Sequence, residues 1–133
     1  PPAEPSPGPS SVLKARIFAG IGDRDQHTRH DAIVLTDSGA FVEWANPAFT
    51  ELCGYTLDEL RGKKLGPLLQ GPLTCPQAAG RMREAVYGGR GCSEVLVNYH
   101  KDGSTYEASV DIKPIFKGDG SLRCFVGRVL AAA

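Results

Sequence analysis

Apolar and polar positions change period three times along this chain, and each change marks an element. Ala32-Ile-Val-Leu-Thr36 is an unbroken apolar run of strand length. Asp37-Ser-Gly39 has turn chemistry, and Phe41–Ala45 returns with aromatic and β-branched residues, so a hairpin is expected. From Pro47 the spacing lengthens. Phe49, Leu52 and Cys53 stand at i, i+3 and i+4, one face of a helix. Asn46 suits its N-cap, and Pro47 suits its first position, where a missing N–H costs nothing. Gly54 can end it in a left-handed conformation. Thr56 followed by Glu59 is a capping-box pattern that opens a second helical turn.

Residues 62–75 carry Gly-Pro steps at 66–67 and 71–72, which rule out one continuous helix and read as irregular. Pro76 opens a helix through Tyr87 with Ala79, Met82, Ala85 and Val86 on its apolar face, and Gly88-Gly89 stops it. The last third is β. Ser93–Tyr99, Thr105–Phe116 and Leu122–Leu130 read as strands joined by Lys101-Asp-Gly-Ser104 and Gly118-Asp-Gly120. Two strands, several short helices and three hairpin-linked strands predict an α+β fold, a five-stranded antiparallel sheet with the helices gathered on one face.

The start of the chain differs. Residues 1–10 hold five of the ten prolines and read as a linker. Residues 11–24 place Leu13, Ile17, Phe18 and Ile21 at helical spacing. This is either a flanking helix laid on its own domain or a dimerisation and signal-coupling helix. The expected division is therefore a linker at 1–10, a flanking helix and loop at 11–30, and one domain at 31–130.

Composition removes several function classes. Fifteen basic and fifteen acidic residues cancel, leaving no electrostatic footprint for nucleic acid or an anionic membrane. No apolar run approaches the ~20 residues of a membrane span, and the N-terminus lacks a secretion-signal layout. The expectation is a cytoplasmic protein without membrane contact. Cysteines at 53, 75, 92 and 124 share no C-x-x-C spacing, and Cys53 and Cys124 read as buried small hydrophobes. His27 and His30 sit in a polar stretch with too few companions for a metal site. No Gly-x-Ser-x-Gly, P-loop or His-Glu-x-x-His occurs. Asp58 and Glu59 diverge on a short helix, and Asp111 stands alone. No catalytic or metal-binding residues are named, and no enzyme is expected.

The motifs carry a resemblance. Asn46-Pro-Ala-Phe49, Gly54-Tyr-Thr56, Glu59-Leu60 and Gly62 resemble the first half of a PAS sensory domain. Leu69-Gln-Gly-Pro72, Thr74, Arg83-Glu-Ala85, Leu96-Val-Asn-Tyr99, Lys101-Asp-Gly-Ser104 and Pro114 resemble its light-oxygen-voltage (LOV) subclass. The likeness runs from about Ala32 to Leu130. It implies a PAS fold with a pocket between sheet and helices and a sensory or regulatory role.

LOV domains bind FMN and form a light-driven cysteine–flavin bond within the motif Gly-x-Asn-Cys-Arg-Phe-Leu-Gln. Counted back from Gln70, the cysteine slot holds Gly66 and the arginine slot Pro67. Counted forward from Gly62, the cysteine slot holds Leu65. Neither supplies a thiol, and Cys75 lies past the motif, so cysteine-adduct photochemistry is not expected. Three matched positions could still hold a flavin, FMN or FAD. Gln70 would face the ribityl chain, Arg83 a phosphate and Asn98 the ring's polar edge. The second family asparagine falls at Ala108 and the last-strand glutamine near Val129. As alternatives, Gln70 and Arg83 are solvated and Asn98 cross-links the sheet. The Asn98 strand and Glu43-Trp-Ala-Asn46 also resemble FAD-binding redox PAS sensors. Glu51-Leu-Cys-Gly-Tyr55 and Val110-Asp111, with the Gln-Gly-Pro and Lys-Asp-Gly-Ser segments, resemble the N-terminal PAS domain of ether-à-go-go type potassium channels, which binds protein. Haem is disfavoured because 77–87 carries no histidine, and His100 reads as exposed. Two functions follow. One is a flavin-binding redox or light sensor. The other is a cofactor-free interaction module, acting as a homodimer or on a partner signalling domain through residues 11–21 and the sheet face.

Overall fold

A computed structural model describes residues 31–132; the expected linker and flanking helix at 1–30 lie outside the described residues. The elements run β1 (Ala32–Asp37), β2 (Val42–Ala45), α1 (Pro47–Cys53), α2 (Leu57–Leu60), α3 (Leu65–Leu69), α4 (Pro76–Tyr87), β3 (Cys92–Tyr99), β4 (Thr105–Phe116) and β5 (Leu122–Ala131). The strands form one sheet in the order β2-β1-β5-β4-β3, every neighbour antiparallel. This is the five-stranded α+β architecture that the patterning predicts.

The closing step is the pairing of β1 with β5, from Ala32 opposite Val129 to Asp37 opposite Cys124. It places β1 inside the sheet. Its unbroken apolar run is then explained, because Ala32, Ile33, Val34 and Leu35 are all buried. Ala32 and Val34 join the main core with Phe49, Cys53, Leu60 and Leu69 from the helices. Ile33 and Leu35 face the other way, clustered with Val126, Trp44 and Ile115. The sheet therefore carries apolar groups on both faces.

Local signals hold the helices where the core needs them. Asn46 caps α1 by accepting from the Phe49 N–H at 2.9 Å, and Gly54 ends it at φ 84°. Thr56 and Glu59 form the full capping box of α2. The stretch 62–75 is less irregular than its Gly-Pro steps suggest. Pro67 falls in the first turn of the five-residue α3, where no intrahelical N–H bond is lost. Both sheet edges are partly covered. Lys63 O accepts from Val42 N at 2.9 Å and Gly62 N donates to Val42 O at 2.8 Å on the β2 side. On the β3 side the Thr74 hydroxyl donates to Val97 O at 2.7 Å. Gly71 packs directly on the Tyr99 ring, where a Cβ would come within 2.6 Å of a ring carbon, and the Tyr99 hydroxyl accepts from Leu73 N at 2.9 Å. Such covers remove edges that would otherwise template pairing with another chain.

Candidate ligand cavity

The helices do not fill the concave side of the sheet completely. A cavity of about 500 Å³ lies between them. Its floor is sheet: Val34 and Thr36 from β1, Asn98 from β3, Val110 and Ile112 from β4, and Phe125, Gly127 and Val129 from β5. Its walls are Leu65, Gly66, Pro67, Leu69 and Gln70 around α3, and Ala79, Met82, Arg83, Val86 and Tyr87 from α4. The small residues at 66 and 127 keep it open. A Cβ on Gly127 would stand 3.0 Å from the Val34 side chain.

Gln70, Arg83 and Asn98 all line this one cavity. They differ in setting. Asn98 is buried at 4% exposure, Gln70 is half-buried and Arg83 is exposed. Asn98 stands opposite Tyr106 in the β3–β4 ladder. Burial pushes the Tyr106 phenol up, and the neighbouring Asn98 side chain partly offsets it. Asn98 is thus a buried polar side chain that reaches the cavity from the sheet. Arg83 makes no ion pair among the described residues, which leaves its guanidinium available to an anion.

The LOV cysteine slots also face inward: Leu65 and Gly66 both line the cavity, and none of the four cysteines does. Its sulfur is the Met82 thioether. Cys53 and Cys124 are buried and unpaired, as expected, and burial pushes both thiols up. Ala108, in the second asparagine slot, is fully buried in the core, and Val129, in the glutamine slot, lines the cavity with an apolar group.

Three features differ from the sequence reading. The apolar face of α4 splits in two: Ala78 and Ala85 are buried, whereas Ala79, Met82 and Val86 line the cavity. His100 is half-buried, stacked on Tyr106 with ring centroids 4.3 Å apart and its Nδ1 against the Leu52 carbonyl. Lys64, which the sequence reading passed over, also lines the cavity. Its ammonium lies 5.2 Å from the Phe41 ring centroid and 5.6 Å from that of Tyr87. The available signal was its place just before Leu65, at the N-cap of α3.

A family model for the PAS domain matches residues 30–128. The chain belongs to the PAS domain family. Among curated relatives of this PAS domain, a blue-light-activated histidine kinase of Rhizobium johnstonii is 37% identical over 83 residues, covering 62% of this chain and 24% of its own. The voltage-gated inwardly rectifying potassium channel KCNH2 of Sus scrofa is 33% identical over 86 residues, covering 64% and 8%. The chain thus spans a quarter or less of these relatives. Among solved structures, a light-oxygen-voltage domain from a flavin-analogue study of its mechanism superposes with TM-score 0.77 at 28% identity, over 90% of this chain and 88% of that one. The LOV domain of an Erythrobacter litoralis blue-light-activated histidine kinase gives 0.71 at 25%, over 77% and 95%. This PAS domain is LOV-like in both sequence and fold. Among the described residues, no helix is long and apolar enough to cross a membrane, and no His, Cys, Asp and Glu cluster could hold a metal ion.

Proposed function

We propose that this PAS domain is a sensory module whose cavity takes a flavin and whose signal does not depend on a cysteine–flavin bond. One observation carries the reading: Gln70, Arg83 and Asn98, far apart in sequence, converge on a single apolar-walled cavity of about 500 Å³. That volume is within the ~300–1,000 Å³ of small-molecule sites, and an apolar lining with few convergent polar groups is their usual composition. A bound flavin would supply light absorption and electron transfer. Asn98 would meet the ring's polar edge with its donor and acceptor, Gln70 the ribityl hydroxyls and Arg83 the phosphate. Ala108, Val129 and Pro67 withhold partners that LOV domains provide, at about 1–3 kcal/mol for each ligand group left unpaired. Binding weaker than that of a full LOV set is expected.

The sheet offers a route outward. Val34, Gly127 and Val129 touch the cavity, while their strand neighbours Ile33, Leu35 and Val126 cluster on the opposite face. A change that moves β1 or β5 therefore moves both faces, and the readout would pass to residues 11–21 or to a partner signalling domain. The test is the absorption spectrum of purified protein before and after incubation with FMN and FAD. The blue-absorbing band of an oxidised flavin is expected, weakened in Asn98→Ala. Protein that stays colourless with both flavins would refute the reading.

The exposed Val95 and the partly exposed Trp44 and Ile115 favour a second reading, a cofactor-free docking module that pairs with itself or with a partner through the sheet face. A homodimer burying at least about 1,000 Å² is then expected. Sedimentation showing only monomer at tens of micromolar would remove the homodimer.

A further inference from the structure

We propose that Lys64 is an anion anchor of the cavity, so that the site selects ligands carrying a phosphate or carboxylate on an apolar body. The charges at the cavity are one-sided. Lys64 and Arg83 are its two cations, and no Asp or Glu lines it. Neither cation makes an ion pair among the described residues. The Lys64 ammonium instead rests near the rings of Phe41 and Tyr87, themselves 42% and 74% exposed, and of these Tyr87 also lines the cavity. Aromatic faces hold an ammonium weakly at such exposed positions. An anionic group brought by a ligand offers charge-assisted hydrogen bonds, which are stronger.

The geometry also answers a departure noted above. Pro67 cannot give the cation that the LOV motif places there. Lys64 comes three residues earlier, from the N-cap of α3, and reaches the same cavity as Arg83. Two cations from different elements, one at α3 and one on α4, could grip one dianionic group from two sides. This deepens the flavin reading by predicting FMN over riboflavin. The requirement for negative charge stands apart from the identity of the apolar body.

The experiment titrates FMN, riboflavin and the fluorescent fatty acid cis-parinaric acid into the wild-type chain and into Lys64→Gln, Lys64→Arg and Lys63→Gln. Lys63 is exposed and does not line the cavity, so its variant controls for net charge. FMN is expected to bind about tenfold tighter than riboflavin, a difference of about 1.4 kcal/mol. Lys64→Gln should erase most of that gap, while Lys64→Arg and Lys63→Gln keep it. FMN and riboflavin binding alike, unchanged by Lys64→Gln, would overturn the anchor and leave the flavin reading standing. Binding of cis-parinaric acid that needs Lys64, with neither flavin bound, would uphold the anchor and refute the flavin reading. Loss of FMN binding in Lys63→Gln equal to that in Lys64→Gln would overturn the anchor as a local effect.

Discussion

The side chain of Asn46 accepts the backbone N–H of Ile33 at 2.9 Å, tying the start of α1 to β1. The same Oδ1 accepts from Phe49 N, and Nδ2 donates to the Asp31 carbonyl at 2.9 Å. One carboxamide thus caps a helix, bonds a strand N–H and fixes the chain entering β1. Asn46→Ala should lose the cap, at about 1 kcal/mol, and leave a part-buried N–H unpaired, at about 1–3 kcal/mol. The expected total is about 2–4 kcal/mol in urea denaturation. Asn46→Asp keeps the acceptor but loses the donor to Asp31 O, so an intermediate loss is expected. Equal losses in the two variants would show that the acceptor bonds contribute little.

A second tie is pH-dependent. Glu59 accepts from Thr56 N at 2.9 Å and pairs with Lys101 Nζ at 2.6 Å, and Lys101 N donates to Cys53 O at 2.8 Å. The β3–β4 turn is thereby fastened to α1 and α2. The Lys101 hydrogen bond, then the Thr56 N–H, hold the Glu59 carboxyl down at about 2, against an ordinary 4.5. Between those values the unfolded chain binds the proton more tightly than the folded one, so stability rises with pH through this window. The contribution is fully present above about 4.5 and is lost as pH falls toward 2. The pair is exposed, so salt should reduce its effect. Wild type and Glu59→Gln should differ in melting temperature at pH 6 and converge at pH 2. A gap that stays constant over that range would exclude this linkage.

Elements were legible where the signal is local, and the site was not where the signal is non-local. The bonds of Asn46 to Ile33 and Asp31 do not read from the sequence, whereas the caps made by Asn46, Gly54 and Thr56 act on neighbours within four residues and read straight from it. The hairpins were legible for the same reason. The pairing of Ala32 with Val129 joins residues nearly a hundred positions apart. No turn chemistry records it, and only the unbroken apolar run of β1 hinted at a strand buried on both faces. The cavity depends on that pairing, because β1 and β5 make more than half its floor. Gln70, Arg83 and Asn98 were found through the resemblance to LOV domains, not through periodicity. Lys64 was missed because a lysine in a turn reads as solvated, and only the folded chain brings it beside Phe41 and Tyr87. In α4, helical spacing marked an apolar face but could not separate residues packed in the core from those lining a hollow.

The last prediction concerns Gly66, which lines the cavity in one of the two slots where LOV domains carry their cysteine. A Cβ built there meets the Gln70 side chain at 3.7 Å, an ordinary contact, and the backbone needs no left-handed conformation. Gly66→Cys should therefore fold, with stability within about 1 kcal/mol of wild type, since exchanging a helical glycine for a side-chain residue costs little or gains slightly. The thiol would enter a cavity that otherwise presents only the Met82 thioether. If a flavin occupies the site as proposed, the variant should lose its blue-absorbing band under blue light and recover it in the dark, while the wild-type band stays constant through the same cycle. Leu65→Cys discriminates the two alignments, because only the slot that faces the ring should respond. A flavin-loaded Gly66→Cys protein as photostable as wild type, with Leu65→Cys responding, would move the slot to residue 65. If neither variant responds, the flavin ring lies beyond reach of both positions.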